Sequence, residues 1–212
     1  MNTQKLLILL CVLFCFATSA SAQIWKDWEI KGGLVYNNPT VELQNYVAET
    51  HANAGYNLCI SKLIPIFDWW QWEIGLGHTR LNWSQSRERF NYLVDLNTDY
   101  TYLGTGFRVQ KKIYSFKPYL GGTFRIGRLV ENNFRDLGFF EPKTIDYGID
   151  YKIGIGYEKW KVKPFIEFSY FGALGYVYKM NLLSYNPDTE VSTPKNSEIQ
   201  NRVIGISTGI RF

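Results

Sequence analysis

From Ile145 to Glu158 the chain reads IDYGIDYKIGIGYE, and no other stretch narrows its possible folds as much. Side chains alternate across an extended strand. One face here carries Ile145, Tyr147, Ile149, Tyr151, Ile153, Ile155 and Tyr157. The other carries Asp146, Gly148, Asp150, Lys152, Gly154, Gly156 and Glu158. A strand in a soluble domain runs about five or six residues. This alternation holds for fourteen. A soluble sandwich accounts for the alternation but not for the length. A tilted strand crossing a bilayer accounts for both, because it needs roughly 9–11 residues with an outward apolar band.

Seven further segments share the pattern: roughly Trp28 to Tyr36, Gly55 to Ile64, Gln71 to Leu81, Tyr100 to Lys111, Phe116 to Leu129, Val162 to Ala173 and Ile199 to Phe212. Ten residues at about 3.3 Å each, tilted by about 45°, rise roughly 23 Å, the apolar height of a transmembrane barrel. The connections take turns in length. Phe67 to Trp70, Lys112 to Ser115 and Lys159 to Lys161 are short. Asn37 to Ala54, Asn82 to Asp99, Val130 to Thr144 and Leu174 to Glu198 are long and polar. Short periplasmic turns, long outer loops and periplasmic termini belong to an up-and-down barrel. The sequence therefore predicts an all-β fold, an eight-stranded antiparallel up-and-down transmembrane β-barrel formed by residues 23–212.

Met1 to Ala22 reads as a cleaved signal peptide. Lys5 supplies the positive start, Leu6 to Ala17 the apolar core, and Ala20-Ser21-Ala22 the small-residue cleavage site. The apolar core is shorter than the ~20 residues of a membrane helix. Cys11 and Cys15 lack the preceding small residue of a lipoprotein signal. The mature chain would keep one cysteine, Cys59, which can form no internal disulfide and fits a small interior side chain. The predicted location is the outer membrane of a Gram-negative bacterium. Without Lys5 the net charge falls from +4 to +3, too weak and dispersed to point to nucleic acid.

By register the interior receives Glu29, Lys31, Glu73, Arg108, Lys117, Arg125, Asp146, Asp150, Lys152, Lys163, Glu167 and Arg211, five acids against seven bases. Buried unpaired charges are costly, so these groups are expected to pair or to hold water. Eight strands leave an interior just wide enough for its own side chains, which predicts a filled barrel without a continuous pore. A narrow ion channel is the alternative. The glycine pairs Gly75/Gly77, Gly104/Gly106 and Gly154/Gly156 would make room for the long interior groups. Aromatic residues make up 17% of the chain, with seven tryptophans, more than a soluble core requires. Trp28, Trp69, Trp70, Trp72, Phe116 and Trp160 are expected to form an outward girdle at the periplasmic side. Tyr36, Trp83, Tyr100, Tyr147 and Tyr170 are expected at the outer rim.

Two predicted strands open alike, Phe116-Lys117-Pro118-Tyr119-Leu120-Gly121-Gly122 and Val162-Lys163-Pro164-Phe165-Ile166-Glu167. Proline suits the start of a strand, where its missing N–H costs the ladder least. This hairpin repeat resembles the small outer-membrane β-barrel domain of Bacteroidota-type bacteria, and the architecture is similar to OmpX and to the membrane domain of OmpA. That family includes PorT-like components of type IX secretion, so a place in an envelope assembly machine is one implication. The last segment alternates Ile204, Ile206, Thr208, Ile210 and Phe212 with Gly205, Ser207, Gly209 and Arg211. Its terminal Phe212 resembles the signal read by the barrel-assembly machinery. No peptidoglycan-binding domain of the OmpA type is expected.

Barrel enzymes that modify lipid A use a histidine beside a serine or an acid. His78 is followed by Thr79 and Arg80, without the His-x-Ser pattern of a deacylase. His51 has no Asp-Ser pair in the second long connection, where Ser84, Ser86, Asp95 and Asp99 are scattered. Two separated histidines and a lone cysteine give no metal spacing, and no cofactor is expected. Arg80, Arg87, Arg89, Arg128 and Lys179 fall on or near the outer rim, where lipopolysaccharide phosphates would be suitable counter-ions. The reading favoured by the residues is a structural or surface-interaction protein. Its surroundings would be outer-membrane lipid, and its partner lipopolysaccharide, a host surface or another envelope protein.

Overall fold

The computed structural model describes residues 26–42, 49–87, 92–133, 140–176, 178–186 and 191–212. The expected signal peptide lies outside them. Every helix or strand element among them is a strand. Eight close a barrel: β1 (Trp28–Asn37), β3 (Glu49–Phe67), β4 (Trp70–Arg87), β5 (Tyr92–Gln110), β6 (Phe116–Asn132), β8 (Ile145–Tyr157), β9 (Lys163–Ala173) and β12 (Arg202–Arg211). Four more, β2 (Thr40–Glu42), β7 (Phe140–Pro142), β10 (Tyr178–Asn186) and β11 (Val191–Gln200), form a second sheet.

The barrel order is β1-β12-β9-β8-β6-β5-β4-β3, closed by β3 on β1, and every pair is antiparallel. Closure leaves no open edge. The short connections, Asp68–Trp69, 111–115 and 158–162, gather at one end with Trp28 and Arg211. We call this the turn end and its opposite the loop end.

Among the described residues, each of the four polar connections expected to be loops contributes strand. β4 and β5 pair without interruption from Trp70↔Val109 to Arg87↔Tyr92, and β3 pairs with β4 from Phe67 back to Glu49. These strands therefore run on past the barrel rim. On the other side the second sheet, ordered β2-β11-β10-β7, follows the order of β1, β12, β9 and β8, which adjoin its strands in sequence. Above the rim the wall thus continues as two sheets. Local polarity signalled a loop, but cross-strand pairing overrides that preference. Register shifts at Asn53/Tyr56 and Asp99/Tyr100 mark the rim, the usual place for bulges in a barrel.

Trp83 and Tyr100 correct the expected outer girdle. Both were expected to face outward at strand ends, and both are buried inside, at 0% and 2% exposure. Because β4 and β5 run on, neither residue ends a strand. Parity aims Trp83 inward with Glu73 and Tyr100 inward with Tyr102 and Arg108. Tyr36, Tyr147 and Tyr170 do face outward near the loop end.

Candidate functional site

The barrel wall is inverted relative to a soluble domain. Outside stand Leu34, Leu58, Leu76, Leu103, Phe124, Ile153 and Ile206, all exposed, while the most buried long side chains include Glu29, Glu73, Arg108 and Glu167. The expected interior set lies inside. Lys31, Asp146, Asp150, Lys152 and Arg211 are buried, and Lys117, Arg125 and Lys163 are partly buried.

Arg108 on β5 sits at the centre of a charge network. Its guanidinium donates to both carboxylate oxygens of Glu29 at 2.6 and 2.8 Å and to Glu73 at 3.2 Å, and it lies 3.8 Å from Glu167. The fork of an arginine suits this bidentate geometry. Arg211 donates to Glu29 from Nε at 2.7 Å, Lys152 to Glu73 at 2.8 Å and Lys31 to Glu167 at 2.5 Å. The Tyr119 hydroxyl donates to the other oxygen of Glu167 at 2.9 Å, and its ring lies 4.1 Å under the Arg108 guanidinium. Towards the turn end, Glu158 meets Arg211 at 3.4 Å and Lys163 at 3.9 Å. These residues come from β1, β4, β5, β6, β8, β9 and β12 and from the connection after β8. The network therefore fastens opposite walls together across the interior.

Above it the polarity falls. Tyr102 donates to Asn57 Oδ1 at 2.8 Å, and the Arg125 guanidinium stacks on Tyr102 at 3.8 Å and Phe171 at 4.4 Å, with Asp150 at 3.8 Å. Next comes a chain in which Asn37 donates to Asn201 and Asn201 donates to Asp146, at 2.9 and 3.0 Å. Val35, Leu81, Tyr100, Phe171 and Val203 then form a buried apolar cluster at the loop end. Trp83, Leu96 and Ile199 are wholly buried.

Two glycines make room for the interior tyrosines. A methyl group on Gly154 would stand 2.3 Å from Cζ of Tyr119, and one on Gly77 would stand 2.3 Å from Cζ of Tyr102. The phenol end of each tyrosine lies over bare glycine backbone. Tyr119, Tyr102, Asn57, Asn201 and Glu158 complete the interior but did not stand out in sequence. The first four are neutral, and Glu158 ends its segment beside a turn. Strand parity was the signal that could have found them.

At the turn end Trp28, Trp69, Trp72, Phe116 and Trp160 are exposed or partly so, and Trp70 is partly covered. Trp69 stacks on Phe67 at 5.8 Å, and Tyr157 packs edge-on against Phe116 and Trp160. The Trp28 ring lies 5.6 Å from Lys62 Nζ. The backbone of Phe212 is bonded to Asp27 and Trp28. His78 lies on the outer wall between the Tyr56 hydroxyl at 3.5 Å and Thr101 at 3.4 Å. His51 is exposed on β3 and Cys59 faces the interior. At the loop end Arg80 meets Asp99 at 3.6 Å and Arg128 is exposed. Arg89 lies outside the described residues.

No protein-family model matches the chain, and no curated protein matches it. Among solved structures it is similar to the outer membrane protein OprG from Pseudomonas aeruginosa, with 15% identity and a TM-score of 0.53 over 88% of this chain and 96% of that one. Neisserial surface protein A follows at 13% identity and a TM-score of 0.47, covering 88% and 98% of the two chains. Outer membrane protein W of Escherichia coli stands at 13% identity and 0.45, with the same coverage. The likeness to OprG is one of fold: a closed eight-stranded antiparallel barrel of the small outer-membrane kind.

Proposed function

We propose that this chain is an integral outer-membrane barrel that works by display: a sealed transmembrane cylinder carries two β-sheets outward as a contact surface. One observation carries this reading, the inversion of the wall. Leucine, isoleucine and phenylalanine face out while glutamate and arginine face in. In water such a belt far exceeds the few hundred Å² of apolar patch that a soluble monomer exposes. In hydrocarbon it is the ordinary outer surface of a barrel. The paired charges and the apolar cluster above them support a closed interior, which makes a narrow channel the weaker reading.

The test begins with fractionation. The folded protein should stay with outer membranes, need detergent for extraction, and migrate differently on gels before and after boiling. Recovery of folded protein in the detergent-free periplasm would overturn the membrane reading. A cysteine placed at the exposed Asp95 should react with a membrane-impermeant maleimide on intact cells; protection there would reverse the orientation. Lipopolysaccharide is the contact we favour. A stoichiometric protein partner after mild detergent extraction would instead make the chain part of an envelope machine. Proteoliposomes should remain impermeable to small sugars, and swelling would overturn the sealed interior.

A further inference from the structure

The turn end carries charge that the interior does not use. Lys26, Lys111, Lys112, Lys159 and Lys161 are exposed, and none forms an ion pair among the described residues. The acids nearest in sequence are few, and Glu158 is already held by Arg211 and Lys163. Four of these lysines belong to two connections that touch. The backbone N–H of Glu158 donates to the carbonyl of Ser115 at 2.8 Å, so 111–115 and 158–162 lie side by side. Exposed Ile113, Tyr114, Phe116 and Trp160 are interleaved with the lysines.

Directly above them on the outer wall is an apolar groove of about 570 Å³, within the roughly 300–1,000 Å³ of small-molecule sites. Val109, Leu120, Ile153, Ile155, Ile166 and Phe168 line it, and it ends towards the turns at Lys111 and Pro118. Pro118 lies opposite Ile155, and the backbone N–H of Lys111 donates to the Pro118 carbonyl at 3.2 Å. A hydrocarbon groove that opens onto a cluster of unpaired cations calls for a ligand with an apolar tail and an anionic head.

We propose that this groove and the lysines below it form a binding site for one anionic phospholipid of the periplasmic leaflet. An acyl chain lies along the outer wall from Ile155 to Val109, and the headgroup phosphate sits among Lys111, Lys112, Lys159 and Lys161. The aromatic residues hold the headgroup level at the hydrocarbon boundary. The inference rests on the membrane reading above, and each can fail alone.

The experiment uses full-length protein purified in detergent, stripped of lipid and titrated in native mass spectrometry. The probes are phosphatidylglycerol and phosphatidylcholine with the same acyl chains. Each lysine near a membrane surface attracts anionic lipid, less strongly once salt screens it, so four lysines together should favour phosphatidylglycerol roughly tenfold or more. The preference should shrink in high salt and vanish in the K111Q/K112Q/K159Q/K161Q variant. Glycerol phosphate alone should not compete. Ile155→Trp should fill the groove and weaken both lipids while leaving their ratio unchanged. Gel mobility before and after boiling shows that each variant is folded. Equal binding of the two lipids, a preference that survives removal of the lysines, or indifference to Ile155→Trp would overturn the site. A protein that remains folded without detergent would overturn the membrane reading instead.

Discussion

Arg108→Met tests the interior network most directly. Methionine keeps much of the stem and removes the cation. The arginine is wholly buried and touches the carboxylates of Glu29, Glu73 and Glu167. Breaking a buried pair on one side costs about 3–5 kcal/mol, because an uncompensated charge is left behind. Here each glutamate retains another donor: Arg211 at 2.7 Å for Glu29, Lys152 at 2.8 Å for Glu73, Lys31 at 2.5 Å for Glu167. The loss should therefore fall near the lower bound, about 3 kcal/mol. Arg80→Met is the control. Its pair with Asp99 is 3.6 Å long and its side chain is 42% exposed, so removal should cost about 0–1 kcal/mol. The assay is urea unfolding from detergent micelles, followed by tryptophan fluorescence and by the gel shift of unboiled protein. Pairing Arg108→Met with Glu29→Gln should cost less than the sum of the two single changes, since the second removes the charge that the first strands. Equal midpoints for Arg108→Met and Arg80→Met would refute the claim that this network ties the barrel walls.

Leu103→Arg places a cation on the outer belt, where Leu103 is 59% exposed; in lipid it should cost about 2–4 kcal/mol. A surface change in a soluble protein stays within about 0.5 kcal/mol, so a neutral result in bilayer refolding would count against a lipid-facing wall. Gly154→Ala brings a methyl 2.3 Å from Tyr119 and should destabilise by about 1–3 kcal/mol through overpacking. Combining it with Tyr119→Leu should recover part of that loss in the same urea titration, and strict additivity would show that the ring is not the obstacle. The Cys59 thiol, buried on the interior face, should resist maleimide until the barrel unfolds; peptide mass mapping would detect early modification and so an accessible interior.

Alternation is a local property, so the strands could be read wherever a run kept its period. Residues 145–158 announced β8 within one residue of its end, and parity alone aimed Glu29, Glu73, Arg108 and Glu167 inward. Parity also held the answer for Trp83 and Tyr100. It was lost because polar, loop-like composition hid the length of β4 and β5. Strand length depends on whether a partner strand continues alongside, which no window of single-chain sequence contains. The pairing of charges is less local still. Glu29 meets Arg108 across 79 positions and Arg211 across 182, partners chosen by the stagger of the strands on closure. The lipid groove likewise exists only because β5, β6, β8 and β9 lie side by side at one height. A chain can carry in its own order which side of each strand turns from water. Which groups then meet is decided by the closed barrel, because closure alone sets neighbours that sequence separation keeps apart.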